Sequence, residues 1–246
     1  MAAILKPIGR NDGPSGIAER AVYIRLSERF GMESLEAELE RARDVPVSEL
    51  ADAIEAIGFE CTRCGGCCTA VETDDADTEP HTATVFPDEV RRLQSAAADA
   101  GEEPYDWRDV ARPMPYGLDG TGGELEGETF EWALGTDGCG DCTFYTESED
   151  GTGACTVHED RPLVCRTYPF SLALAGTAEP MGEAVDGEGL VRAHECEGLG
   201  RDIAREDAEE LAAALKRRTI RDVEEAIGVR DNYEPADTDG VVVHDS

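Results

Sequence analysis

The sequence carries little positive charge, and almost none of that charge is lysine. Of its 246 residues, 55 are Asp or Glu and 22 are Lys or Arg, which gives a net charge of −33; the lysines are Lys6 and Lys216. Such a chain repels phosphate groups, so nucleic-acid binding is not expected. In a cytosol with molar salt the Debye length falls to about 3 Å, and self-repulsion is screened. We therefore predict a protein from a salt-adapted (halophilic) organism. The alternative, a disordered acidic chain, fits poorly with 40% apolar residues.

The sequence also has no long hydrophobic run. No stretch approaches the ~18 apolar residues that a membrane span requires, and the apolar part of residues 1–10 is too short for a secretory signal. We therefore expect a cytoplasmic protein with no membrane association. A reducing cytosol disfavours disulfides, and the nine cysteines cannot all pair. Clustered cysteines in such a chain indicate metal binding.

Four of the nine cysteines lie within eight residues, as Cys61, Cys64, Cys67 and Cys68. A C-x2-C spacing lets two sulfurs face one ion, because the residues between them form a tight turn whose N–H groups point at the thiolates. The intervening glycines permit the positive φ values of such a turn. The adjacent side chains of Cys67 and Cys68 are expected to diverge, and so to serve different sites or opposite sides of one larger cluster. The downstream cysteines are Cys139, Cys142, Cys155, Cys165 and Cys196.

All nine cysteines are candidate metal ligands. Eight thiols would fill two four-thiolate sites and leave one over. Cys139 is either a ligand, forming a second C-x2-C knuckle with Cys142, or a spare thiol. Zinc and iron–sulfur clusters both accept four thiolates. The adjacent pair and the number of thiols favour an iron–sulfur cluster, with zinc as the alternative.

Five segments are expected along the chain. They are a basic leader at 1–31, a helical lead-in at 32–58, a cysteine-rich metal-binding domain at 59–200, an amphipathic helix at 201–230 and a loose acidic tail at 231–246. The fold class is therefore α+β, with a small cysteine-rich core of short strands flanked by N- and C-terminal helices. The leader carries a net charge of +2, so the remaining residues carry −35. It is either a misassigned extension upstream of a start at Met32 or a flexible basic arm.

Local signals define several elements more closely. Ser34 is the expected N-cap of a first helix, and Asp160 that of a short helix through Arg166. Residues 102–124 are expected to form a long loop. Gly228 is expected to end the C-terminal helix. The remaining predictions are helices at 48–57 and 87–100, strands at 82–86 and 129–134, and a hairpin joining the strands that follow Cys142 and contain Cys155.

These motifs together resemble the CxxCxxCC cysteine-cluster family, known by its YkgJ representative. The resemblance spans roughly residues 58–200. It implies a zinc- or iron-chelating domain, often labelled as an iron–sulfur protein, but not a defined reaction. Cys139 is additional to the usual pattern, and His158 stands where an aromatic residue is expected. The matching residues are Cys61, Cys64, Cys67, Cys68, Cys142-Thr-Phe-Tyr, Cys155-Thr-Val-His, Arg161-Pro162, Cys165-Arg166, Tyr168-Pro169-Phe170 and Cys196-Glu-Gly198.

Three functions therefore compete. The first is chelation of an iron–sulfur cluster or zinc, with a possible redox role. The second is a structural zinc module that mediates protein interaction. The third is a lysine N-methylase, because a subset of the family resembles flagellin lysine N-methylases. The third would need a site for a methyl donor, and the sequence shows no G-x-G-x-x-G motif after a strand.

Overall fold

The computed structural model describes residues 34–72, 78–99, 105–119, 125–174, 189–236 and 240–245. The leader at 1–31 and the alternative start at Met32 lie outside these ranges. Within them, the chain has the predicted α+β architecture, with helices flanking several small sheets. No helix in these ranges is both long enough and apolar enough to cross a membrane.

The helices and strands are numbered here in chain order. The α-helices are α1 (Leu35–Asp44), α2 (Val47–Ile57), α3 (Pro87–Asp99), α4 (Trp107–Val110), α5 (Leu163–Thr167) and α6 (Arg205–Asn232). The strands are β1 (Val71–Glu72), β2 (Thr78–Glu79), β3 (Thr84–Val85), β4 (Ala111–Pro113), β5 (Leu118–Asp119), β6 (Glu126–Thr129), β7 (Trp132–Leu134), β8 (Tyr145–Glu147), β9 (Gly153–Cys155), β10 (Phe170–Leu172), β11 (Val191–Ala193) and β12 (Val241–Val243).

Helices α1, α2 and α6 build the first hydrophobic core together with the antiparallel strand pair β10–β11. Ser34 caps α1 as predicted, since its Oγ accepts a hydrogen bond from the N–H of Ala37 at 3.2 Å. The apolar face of α2 is fully buried through Leu50 and Ile54, and Phe170 of β10 packs into the same cluster. Strands β10 and β11, which lie within the predicted metal-binding range 59–200, therefore contribute to the helical core.

The second core lies under the cysteine-rich segments. Its centre is the antiparallel sheet β3–β7–β4, with α3 packed against it through Val90 and Leu93. Phe144 and Cys142 are buried in the same cluster. Part of the cysteine-rich region is thus fixed by ordinary hydrophobic burial, which stabilises it without a metal.

The prediction of one long loop at 102–124 is wrong for residues 105–119. Asp106 caps the one-turn helix α4 by accepting a hydrogen bond from the N–H of Arg108 at 3.0 Å. Strand β4 follows at once and pairs with β7, and β5 pairs with β6. These elements are too short to show a periodic pattern, and their pairing partners lie later in the chain.

The C-terminal part also differs from the prediction. Helix α6 continues past Gly228 to Asn232, although a helical glycine costs about 1 kcal/mol relative to alanine. Arg230 lies in this extra turn and forms a 2.7 Å ion pair with Glu36 of α1.

The acidic tail is not wholly loose, because β12 pairs in parallel with β6. His244, which follows β12, contacts Glu128 at 2.7 Å and stacks on Phe130. Three consecutive valines after an acidic stretch gave no sign of this distant partner strand.

Candidate metal centre

The first cysteine loop, residues 61–68, is a tight turn whose shape depends on glycine. Arg63 and Gly65 both have positive φ, of 57° and 81°, and the N–H of Cys68 donates to the carbonyl of Gly65 at 2.7 Å. A Cβ at Gly65 would overlap the hydroxyl of Tyr145. The ring of Tyr145 therefore packs directly on the turn, and a larger residue at position 65 has no room.

The predicted hairpin is confirmed and supports this loop from one side. Strands β8 and β9 pair with Tyr145 opposite Cys155. The N–H of Gly153 donates to the carbonyl of Arg63 at 2.8 Å, and a Cβ at Gly153 would lie only 2.9 Å from the same oxygen. The hairpin that carries Cys155 is thus in backbone contact with the loop that carries the first four thiols.

The second C-x2-C segment is joined to the end of the first. The N–H of Cys142 donates to the carbonyl of Cys68 at 2.8 Å. The side chain of Asp141 accepts from the N–H of Ala70 at 2.8 Å. Cys142 is buried, whereas Cys139 is exposed. The two thiols of this segment therefore point into different surroundings.

The Cys196 loop reaches the start of the first cysteine loop. The N–H of Glu60 donates to the carbonyl of Gly198 at 3.0 Å, and Phe59 and Leu199 form an isolated antiparallel bridge. The N–H of Gly198 lies 3.4 Å from the Cys196 sulfur, in the N–H···S arrangement typical of metal knuckles. Cys196 and Cys61 are therefore held on neighbouring backbone segments.

The thiols of Cys67 and Cys68 face each other with a sulfur–sulfur distance of 3.8 Å. The expectation that these adjacent side chains diverge is wrong. The tight turn at Gly65 brings both sulfurs to the same side of the loop.

The thiols also influence one another electrostatically, with Cys67 at the centre. The pKa of the Cys67 thiol is raised, first by Cys68 and then by burial. Burial raises the pKa of Cys142 to about 11 and also raises that of Cys155 and of Cys165. Cys67 adds to the shift in each of these three thiols. Such neutral thiols need a nearby cation before they can act as thiolates.

Two further observations complete this grouping. The pKa of the Cys196 thiol is raised by burial and then by Cys67, Cys64 and Cys61. Arg161 acts in the opposite direction, since its charge lowers the pKa of Cys67, Cys155 and Cys165. Eight of the nine predicted ligands therefore interact as one group. Cys139, the ninth, is exposed.

The eight thiols do not form a finished coordination shell. In the described ranges, no three Cys, His, Asp or Glu side chains stand in an arrangement that could hold an ion. The backbone brings the cysteine segments together, and Cys67 and Cys68 are at ligand-like separation. The donor chemistry fits zinc or iron, because none of the nine thiols is in a disulfide and several are shielded from water.

Comparison with known proteins agrees with this chemistry. A family model named CxxCxxCC, described as "putative zinc- or iron-chelating domain", matches residues 60–197, more than half of the chain. The chain belongs to the CxxCxxCC family. The CxxCxxCC match begins one residue before Cys61 and ends one residue after Cys196, so it contains all nine cysteines. No curated protein and no solved structure matches the chain. Metal chelation is thus supported as the general function of this CxxCxxCC protein.

Sequence reasoning missed three residues that support the site. Tyr145 was named only as part of a motif, yet its ring packs on the first loop. Glu89 and Arg218 are not singled out by the sequence, but both are almost fully buried beside the Cys165 segment. No local pattern marks them, because a buried and an exposed helical charge look alike in sequence.

His81 gives this CxxCxxCC protein a predictable response to acid. The residue is 9% exposed, and its Nε2 has no hydrogen-bond partner among the described residues. Burial lowers the pKa of His81 from its usual 6.5 to about 4. Between these values the unfolded chain binds more protons than the folded one. The free energy of unfolding is therefore unaffected by His81 above pH 6.5 and decreases as the pH falls towards 4.

We expect His81→Leu to remove up to about 3 kcal/mol of this acid-induced loss of stability. Urea unfolding at several pH values between 4 and 8, at constant high salt, measures the difference from wild type. His158→Leu is the matched control, because the His158 side chain is 54% exposed. Equal pH dependence in wild type and His81→Leu would contradict the prediction.

Proposed function

We propose that Cys67 and Cys68 bind the same ion in a tetrahedral thiolate centre, and that this ion is zinc. The observation that carries the proposal is the 3.8 Å separation of their sulfurs. Two thiolates bound to one tetrahedral zinc at about 2.3 Å have sulfurs about 3.8 Å apart. In a cubane four-iron cluster each iron takes one thiolate, so two protein sulfurs do not share a metal ion.

The other ligands of this centre come from Cys142, Cys155 and Cys165. These thiols interact with Cys67 and with one another, and each lies on a different segment of the second core. Arg161 carries the compensating charge, because a four-thiolate zinc has a net charge of −2 in an already acidic chain.

Cys61, Cys64 and Cys196 form a second group where the Cys196 loop meets the first cysteine loop. With one of the five thiols of the first centre as a fourth ligand, they would hold a second ion. Eight thiols are enough for two such sites, and Cys139 is the one left over.

Zinc in such a closed site would act as a structural element. It would supply the positive charge that the shielded thiols need in order to lose their protons. It would also join segments whose backbones are already connected by hydrogen bonds, such as those at Gly153 and Gly198.

A two-iron, two-sulfide cluster is the second candidate. It also places two thiolates on each metal ion, so the 3.8 Å pair is compatible with it. This candidate would add a redox role, whereas zinc has no redox chemistry.

Elemental analysis and an absorption spectrum of the full-length protein, purified without oxygen, test the proposal. Zinc predicts a colourless protein with at least one zinc per chain and no acid-labile sulfide. A two-iron cluster predicts iron, equimolar sulfide and absorption bands at about 400 nm. Only trace amounts of both metals would overturn thiolate chelation as the function.

The surroundings that we propose follow from the charge and the thiols. Free thiols at nine positions suit a reducing cytosol. The net charge of −33 suits high salt and disfavours a nucleic-acid partner. The first measurements therefore belong in buffers with molar salt and a reductant.

A further inference from the structure

Helix α5 is too short to fix its own position. It has five residues, carries Cys165 at its centre, and has no side-chain cap from Asp160, contrary to the prediction. A helix of this length leaves most of its backbone N–H and C=O groups without partners inside the helix. Something outside the helix must therefore set where Cys165 stands.

Glu89 of α3 binds the N-terminal end of α5. Its carboxylate is 1% exposed, and its Oε1 accepts a hydrogen bond from the N–H of Leu163 at 2.9 Å. Its Oε2 accepts from the N–H of Phe86 at 3.2 Å, so both oxygens are used. Arg92, 3.6 Å away, donates in turn to the carbonyls of Asp160 and Arg161, just before the helix.

Arg218 of α6 binds the C-terminal end of α5. It is 4% exposed, and its Nη1 donates to Thr167 Oγ1 at 3.1 Å. The Thr167 hydroxyl donates to the carbonyl of Leu163 at 2.8 Å, which links the two ends of the helix. A negative charge at the N-terminus and a positive charge at the C-terminus both match the helix dipole.

We infer that Glu89 and Arg218 are positioning residues for the Cys165 ligand. They come from two different helices and contact opposite ends of α5. Burying a charge is costly unless it is paired. Each of the two has a partner of opposite charge on its own helix, since Arg92 lies 3.6 Å from Glu89 and Asp222 lies 3.5 Å from Arg218. The inference deepens the proposed function and rests on it, because it treats Cys165 as a metal ligand.

The test compares Glu89→Gln and Arg218→Lys with two matched controls. Asp88→Asn makes the same chemical change one residue away, on a side chain that is half exposed and paired with Arg221. Arg217→Lys does the same beside Arg218, at an exposed position. The readout is the rate at which iodoacetamide alkylates each cysteine of the full-length protein as purified, resolved by peptide mass spectrometry.

We expect the rate at Cys165, divided by the rate at Cys142, to rise about tenfold in Glu89→Gln and Arg218→Lys. Both controls should keep the wild-type ratio. Thr167→Ser, which retains the hydroxyl, should also keep it, whereas Thr167→Val should raise it. General loosening of the fold would expose Cys142 as much as Cys165 and leave the ratio unchanged.

An unchanged ratio in Arg218→Lys, or in Glu89→Gln where that variant folds, overturns the inference. The result of the alkylation experiment is independent of the result of the metal analysis. A protein without metal would refute the proposed function, and the ratio would still show whether the two charges position Cys165. A protein that binds metal and shows no change in the ratio would refute the positioning role alone.

Discussion

Cys67→Ser and Cys68→Ser are each expected to remove the ion from the first centre and to lower the melting temperature by roughly 10 °C. A hydroxyl is a much poorer zinc ligand than a thiolate, and a closed site tolerates no missing ligand. Metal per chain after desalting and thermal unfolding followed by circular dichroism measure the two effects. Cys64→Ser, measured in the same way, reports on the second group of thiols.

Two comparisons make this result specific. Cys139→Ser introduces the same chemical change at an exposed thiol and should retain both metal and melting temperature. The double variant Cys67→Ser/Cys68→Ser should lose no more metal than either single variant, because both thiols hold one ion. Loss of twice as much metal in the double variant would show that the two cysteines serve different ions.

Gly198→Ala is expected to destabilise the protein by about 3 kcal/mol or more and to weaken metal retention. A Cβ at this position would overlap the carbonyl oxygen of Glu60 and lie 3.0 Å from the ring of Phe59. The carbonyl belongs to the backbone next to Cys61 and cannot turn away as a flexible side chain could. The Cys196 loop would therefore have to move away from the first cysteine loop.

Gly138→Ala is the matched control, because nothing lies within 4 Å of a Cβ built there. Urea midpoints at constant salt and zinc release to a chromophoric chelator provide the two measurements. If both variants unfold at the same midpoint, the contact between Gly198 and Glu60 does not hold the loops together.

The sequence predicted the cysteine segments and the helices around them well, because both leave local signals. The C-x2-C spacings, the Ser34 cap and the acidic turn of the hairpin are readable within a few residues. The α+β class and the family follow from these features.

The errors share a different cause. In an average backbone the side chains of Cys67 and Cys68 diverge, whereas Gly65 gives this turn an uncommon conformation. The sequence predicts Asp160 as the cap of α5, but the carboxylate that accepts from its first N–H is Glu89, which lies far away in sequence. The strand β12 and the extra turn of α6 likewise depend on partners that only the folded chain brings close.

The contact between Glu60 and Gly198 places the two ends of the matched region side by side. The chain enters and leaves this unit at one point, from α2 on one side and towards α6 on the other. Adjoining ends fix where α2 and α6 start from this unit, so the two helices are brought together at its base. Strands β10 and β11, which lie inside residues 60–197, pack on these helices, and the metal-binding region and the helical core therefore depend on each other for stability.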